Sequence, residues 1–306
     1  MSKIDLLQAE KTSSIQRVRG CLAHCLPEAL LVLAWSSGFV GIRLSSDYAP
    51  VFLVLFWRCA LVVALMLPLV WRELIRTPIN VLLTQGSIGL LAMSGYLAGV
   101  GKGIEYGVPA GLAALMADLL PVGSALLGVL FLHSRPSVST WLGLVLGVAG
   151  VVIVTWGVLS WGNAAPWAYG LPLLGMFSLA CATLLQKKIN TSAAISLPGV
   201  LWLQCAVSLV AFGGAIVPTG SLTPIFSSGF IISVLWTALF STLGGYGLYW
   251  FCLKRTSPVR VGSVLYLSPA VTLLWSWFMF GEPLSWSMLA GVLVSGGGLW
   301  LVIRAQ

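Results

Sequence analysis

Apolar residues run continuously along this chain in stretches of about twenty, and that fact restricts the fold more than any motif. Hydrophobic residues make up 58% of the 306 positions and charged residues only 8%, where a soluble domain carries roughly 25% charge. Such a composition excludes an ordinary soluble enzyme, a disordered protein and a nucleic-acid module. A membrane helix needs about 20 apolar residues, at a rise of about 1.5 Å each. The continuity of the runs selects helices over an outer-membrane barrel, whose strands would alternate with period two. The chain reads as an all-α integral membrane protein.

Setting aside a polar arm over residues 1–26, ten spans are predicted. They fall at about 27–45, 50–70, 80–101, 109–131, 138–157, 167–186, 196–217, 229–253, 259–280 and 285–303. The breaks carry their own chemistry: Arg72-Glu73, Arg76-Thr77-Pro78, Ser134-Arg135-Pro136, Trp161-Gly162-Asn163 and Lys187-Lys188. The arm has no small-residue cleavage site after a short apolar core and is not read as a signal peptide. Its Cys21, His24 and Cys25 are too few to define a metal site. The remaining cysteines, at 59, 181, 205 and 252, lie mostly in apolar runs and read as packing residues.

Charge placement tests the topology independently. With a cytoplasmic N-terminus, thirteen of the sixteen lysines and arginines fall on the inner side, from Lys3 in the arm to Arg304. Only Arg43 and Lys102 fall outside, with Arg58 within the second span; Asp47, Glu105 and Glu282 are also outside. The net charge of +8 therefore orients helices and implies no nucleic-acid or other acidic partner. Both termini are expected to be cytoplasmic. Trp71, Trp141, Trp161, Trp167, Trp286 and Trp300 near the span ends form an aromatic belt.

Half the chain repeats the other half. Leu120-Pro121-Val122 matches Ser268-Pro269-Ala270, the Pro136 hairpin matches Glu282-Pro283, and Gly143, Gly147 and Gly150 match Gly291, Ser295 and Gly298. Gly95-Tyr96 likewise matches Gly245-Tyr246. Five spans is an odd number, so two such units must enter the bilayer in opposite orientations. The predicted domains are five-helix repeats at 27–157 and 167–304, inverted relative to each other. Inverted repeats are typical of secondary transporters, with the substrate near the midplane between them. Composition alone can also make Gly- and Pro-rich helices look alike.

Together with Trp35-Ser36-Ser37-Gly38-Phe39 and Trp57-Arg58, these blocks resemble the drug/metabolite transporter superfamily, EamA type, over about residues 27–304. The overall likeness within it is to exporters of aromatic amino acids. The resemblance implies that spans 1, 3, 4, 6, 8 and 9 surround the path, with 5 and 10 as packing helices. It also implies that one chain, already holding both halves, works as a monomer. The first hairpin departs from the pattern with His133-Ser134-Arg135-Pro136, where the second has Gly281-Glu282-Pro283.

Candidate transport residues follow from cost and chemistry. Pro121 and Pro269, inside the fourth and ninth spans, free a carbonyl and bend the helix, gating a cavity or merely kinking the packing. Arg58 and Asp118 are intramembrane charges, which are rare because they are costly. Arg58 can meet a carboxylate, carbonyls or a substrate carboxylate; Asp118 can pair with a cation, face a wet cavity or be protonated. Trp35, Ser36, Tyr96, Tyr246, Tyr249, Ser263 and Tyr266 offer flat surfaces and hydroxyls for a partly apolar solute, with ordinary packing as the alternative for each. Gly143, Gly147, Gly291 and Ser295 form small-residue faces for close helix approach.

No paired intramembrane carboxylates, Ser-His pair or phosphate-binding Gly-rich loop occurs, so neither an enzyme nor an ATP-driven pump is expected, and no cofactor or metal. The expected activity is alternating-access export of small metabolites, neutral or aromatic amino acids first, from the inner membrane. The alternative is a proton-coupled multidrug or cation exporter using Asp118.

Overall fold

The computed structural model describes residues 26–132, 137–159, 164–188, 195–218, 220–255, 261, 264–265 and 267–304. The arm before Leu26, and the candidates Ser263 and Tyr266, lie outside these residues. Among the described residues the chain is helical throughout, without strands. Seven helices are long and apolar enough to cross a membrane, and the apolar stretches Val138–Val154 and Trp286–Gly298 are shorter.

Helix α1 (Leu26–Ser46) is followed by α2 (Val51–Arg76) and α3 (Ile79–Glu105). The α2 helix runs through Arg72, Glu73 and Arg76 before it stops, further than the charges suggest. Proline ends it: Pro78 disfavours helical geometry at Thr77, which is extended at φ −76°, ψ 130°. Pro50, Pro78 and Pro109 in turn sit immediately before the helices that follow them, where a missing N–H costs nothing.

Next come α4 (Ala110–Ala117), α5 (Leu120–Leu132) and α6 (Val138–Leu159). A 3₁₀ turn at Pro166–Tyr169 leads into α7 (Gly170–Lys188), then α8 (Leu197–Ile216) and α9 (Ser228–Arg255). The last two are α10 (Ser268–Phe280) and α11 (Trp286–Arg304). The expected proline bends take the form of breaks. Pro121 and Pro269 each stand second in a new helix, α5 and α10. The first turn is where a ring that lacks an N–H and would clash with the carbonyl four residues back is tolerated. In the fourth span the break leaves Asp118 and Leu119, both buried, as a non-helical step between α4 and α5.

Helices from the two halves pair across the bundle. The α2 helix packs on α8, α3 on α7, α4 on α10 and α6 on α11. Small residues set the closest of these approaches. Gly298 faces Gly143 and Gly147, Gly150 faces Ser295 and Gly291, and the Ser295 hydroxyl donates to the Gly147 carbonyl at 3.1 Å. The α1 helix lies against α9 through Gly38 on Ser241 and Gly41 on Trp236 and Thr237. Trp71, Trp141, Trp167, Trp286 and Trp300 are all exposed near helix ends.

Two helices change register in their middles. Leu90–Gly95 in α3 and Thr237–Tyr246 in α9 are π-helical. Each π segment runs into a tyrosine, Tyr96 or Tyr246, at the position that the sequence repeat equates. Such bulges are frequent at functional sites, and the wider turn redirects the side chains that follow it.

Candidate functional site

The bulges aim their tyrosines at one indole. Trp35, on α1, has its ring centroid 5.9 Å from Tyr96, 5.2 Å from Tyr246 and 5.2 Å from Tyr249. All four rings are buried. They come from α1, α3 and α9, so three helices of the bundle meet there. The tilted geometry is that of favourable aromatic pairs, worth about 0.5–1.5 kcal/mol each beyond their buried area. Two hydroxyls are tethered: Tyr246 donates to the Ala92 carbonyl at 3.0 Å, within the α3 bulge, and Tyr249 lies 3.4 Å from the Thr183 hydroxyl. The Trp35 indole N–H is buried without a partner.

Beside this cluster lies a cavity of about 20 Å³, walled by Trp35, Gly38, Ile42, Tyr96, Ser241 and Tyr246 among others. That is room for about one water molecule.

The intramembrane charges flank the aromatic cluster separately. Arg58, fully buried on α2, donates through Nε to the Thr242 hydroxyl and through Nη2 to Ser241 Oγ at 3.1 Å. Its Nη1 has no partner. Asp118, also buried, faces Ser268, and its Oδ2 is unpartnered. Ser268 in turn accepts a hydrogen bond from Ser36 Oγ at 3.2 Å. No ion pair joins Arg58 or Asp118 to an opposite charge among the described residues.

Both ends of the bundle are tied by polar side chains. At one end Arg43 bridges Asp47 at 2.8 Å and Glu282 at 3.4 Å and lies over the Phe280 ring. Burial pushes the Glu282 carboxyl above its usual range, while Arg43 and the Ala110 N–H pull it back. Lys102 pairs with Glu105, whose other oxygen takes the Val51 N–H at 2.8 Å. At the opposite end Glu73 accepts from the Ser196 N–H and hydroxyl, so α2 caps the start of α8. Glu73 is marked in the sequence only as part of the Arg72-Glu73 break, and the Arg58 partners Ser241 and Thr242 do not stand out. Their only signal is that hydroxyls lie beside the Gly244-Gly245-Tyr246 repeat motif.

Trp35, Tyr96, Tyr246 and Tyr249 thus come together; Ser36 and Asp118 meet at Ser268; Arg58 stands apart on the Ser241–Thr242 side. Pro121 and Pro269 begin the helices that follow Asp118 and contain Ser268. Among the described residues no group of three His, Cys, Asp or Glu could hold a metal.

The EamA-like transporter family matches residues 26–156 and 166–304. A probable amino-acid metabolite efflux pump of Salmonella typhimurium is 29% identical over 282 residues, covering 89% of this chain and 92% of its own length. Its counterpart of the same name in Escherichia coli K12 is 27% identical over 281 residues, 89% of this chain and 92% of that one. An uncharacterized inner membrane transporter of the same bacterium, YedA, is 27% identical over 261 residues, 83% of this chain and 82% of its own. A protein of known crystal structure, 16% identical, shares the fold with a TM-score of 0.67, over 92% of this chain and 97% of that one.

Proposed function

The chain belongs to the EamA-like transporter family, and from that premise we propose that it exports small metabolites across the inner membrane, neutral or aromatic amino acids first. The relatives named as amino-acid metabolite efflux pumps support the cargo class. The observation that carries the reading is the ring cluster of Trp35, Tyr96, Tyr246 and Tyr249 beside a cavity between α1, α3 and α9. Aromatic walls with a few donors suit a solute having a flat apolar side chain and a polar end.

At about 20 Å³ the cavity is too small for any amino acid, so cargo enters only when the surrounding helices part. Alternating access supplies that motion. The reading of two inverted five-helix repeats, with ten spans and cytoplasmic termini, is supported by the cross-half helix pairs and the two π segments at equated positions. In this orientation the Arg43–Glu282 bridge closes the outer end and the Glu73–Ser196 cap lies at the inner end. A single chain holds the whole site and works as a monomer.

Proteoliposomes loaded with unlabelled phenylalanine and given labelled phenylalanine outside test the proposal. Rapid counterflow is expected; no exchange of phenylalanine, nor of leucine or tryptophan in its place, would sink it.

A second reading concerns energy coupling. Asp118 is buried at the α4–α5 break with an unpartnered oxygen and no cation beside it among the described residues, which suits a proton carrier. Asp118→Asn should then abolish accumulation driven by a pH gradient while leaving counterflow intact. Equal pH-driven uptake by the variant and the parent would remove the proton role, and with it the cation-exporter alternative.

A further inference from the structure

Arg58 is a full positive charge within the bundle, and its surroundings do not neutralise it. It is 0% exposed, and breaking up such a charge's partners is expensive because a buried ion without compensation costs several kcal/mol. Its two hydrogen-bonded nitrogens reach neutral hydroxyls only, those of Thr242 and Ser241. The Thr242 hydroxyl donates in turn to the Thr237 carbonyl at 3.0 Å. Its hydrogen is thereby committed, and its lone pairs are left for the guanidinium.

This arrangement is built by the α9 bulge. Thr237 and Thr242 are five residues apart, so the bond spans the π segment itself. Gly38 on α1 lets that segment come close, since a Cβ there would stand 2.6 Å from Ser241 Oγ. Ser241 consequently has two roles: it holds Arg58 Nη2, and it lines the cavity beside Trp35, Tyr96 and Tyr246. The guanidinium is thus one hydroxyl away from the cavity, oriented by two hydrogen bonds, with Nη1 left as a donor that nothing accepts.

We infer that Arg58 recognises the cargo's carboxylate, so that a free carboxylate is a requirement for transport. The inference rests on the amino-acid export reading and sharpens it. One uncompensated positive charge balances one negative charge, which selects a monoanionic end over a dianionic phosphate. Guanidinium donors match carboxylate geometry, and the neighbouring rings accept the apolar remainder. Organic acids lacking an amino group are therefore cargo candidates, whereas amines and amides are not.

A ligand series on the unaltered full-length protein decides the matter. In detergent, L-phenylalanine and 3-phenylpropanoate should each raise the Tm, and L-phenylalaninamide should not. In proteoliposomes the first two should compete with labelled phenylalanine in counterflow at least tenfold better than the amide does. Arg58→Gln should lose the phenylalanine-induced Tm shift yet elute as a monodisperse peak. If that variant fails to fold, the ligand series still gives the answer. Phenylalanine counterflow with equal competition by the amide overturns the carboxylate role and leaves export standing. Absence of any binding or exchange of phenylalanine, and of leucine or tryptophan in its place, overturns both.

Discussion

Replacing Gly99 with valine should lower stability by about 3 kcal/mol, near the upper end of the usual range for overpacking. A Cβ at Gly99 would stand 2.6 Å from the Leu171 carbonyl oxygen, 2.7 Å from Gly175 N and 2.8 Å from Gly175 Cα. Every obstructing atom is backbone, so no side chain can rotate away. The contact is reciprocal, because a Cβ on Gly175 would stand 2.8 Å from the Tyr96 carbonyl oxygen. Relief requires α3 and α7 to separate, and α3 carries Tyr96 three residues away. The variant should therefore melt earlier in detergent by thermal unfolding, and its folded fraction should transport poorly. Gly214→Ala is the matched control. That glycine also lies within a helix, α8, but a Cβ there meets nothing within 4 Å. Alanine should be neutral or stabilising by about 0.5–1 kcal/mol, because glycine is the poorer helix former. Equal melting of the two variants would show that the α3–α7 approach is looser than its backbone distances indicate.

How much of this was legible in the sequence depends on the range of the interaction. Apolar runs and proline positions are local signals, and they locate most helix ends to within a few residues. The α2 helix is the exception: charges at Arg72 and Glu73 can sit on a helix that has left the apolar layer, whereas Pro78 cannot continue one. Scarcity singled out Arg58 and Asp118, because an ionised group in an apolar run is costly wherever it points. The likeness of Gly95-Tyr96 to Gly245-Tyr246 drew attention to two tyrosines that the structure places against a common tryptophan. What was not legible are pairings made at a distance. Arg58 meets Thr242 across 184 positions and Glu73 meets Ser196 across 123, and neither hydroxyl differs in sequence from many others in the chain. The π segments were also invisible, since their residues would form an ordinary α-helix equally well. Tertiary contacts, such as Gly38 on Ser241, accompany the wider turn. The proline breaks fall between these cases: the residue type announced a disturbance, but not that the helix would restart rather than bend.

Trp35→Ala should reduce amino-acid counterflow by more than tenfold, the largest effect on transport among the aromatic positions. The indole is the common partner of three tyrosines that come from two other helices. Losing three ring pairs at about 0.5–1.5 kcal/mol each removes more interaction than truncating any one tyrosine. Truncating a buried aromatic also costs about 3–5 kcal/mol of stability where the neighbours cannot close the gap. Collapse there is resisted, because Tyr246 is anchored on the Ala92 carbonyl and Tyr249 lies beside Thr183. Two causes of lost transport must therefore be separated, and Trp35→Phe separates them. Phenylalanine retains a ring against the tyrosines and fills most of the volume, but it lacks the indole N–H that is buried without a partner. If that N–H serves the cargo, the Phe variant should keep most of the parent's Tm and still bind phenylalanine more weakly. If Trp35 only packs, the Phe variant should match the parent in affinity, and the Ala variant should lose activity only in proportion to its folded fraction. Size-exclusion profiles, Tm and counterflow rate per folded molecule, measured on the same preparations, distinguish the two. An alanine variant that exchanged phenylalanine at the parental rate would place the transport path elsewhere in the bundle.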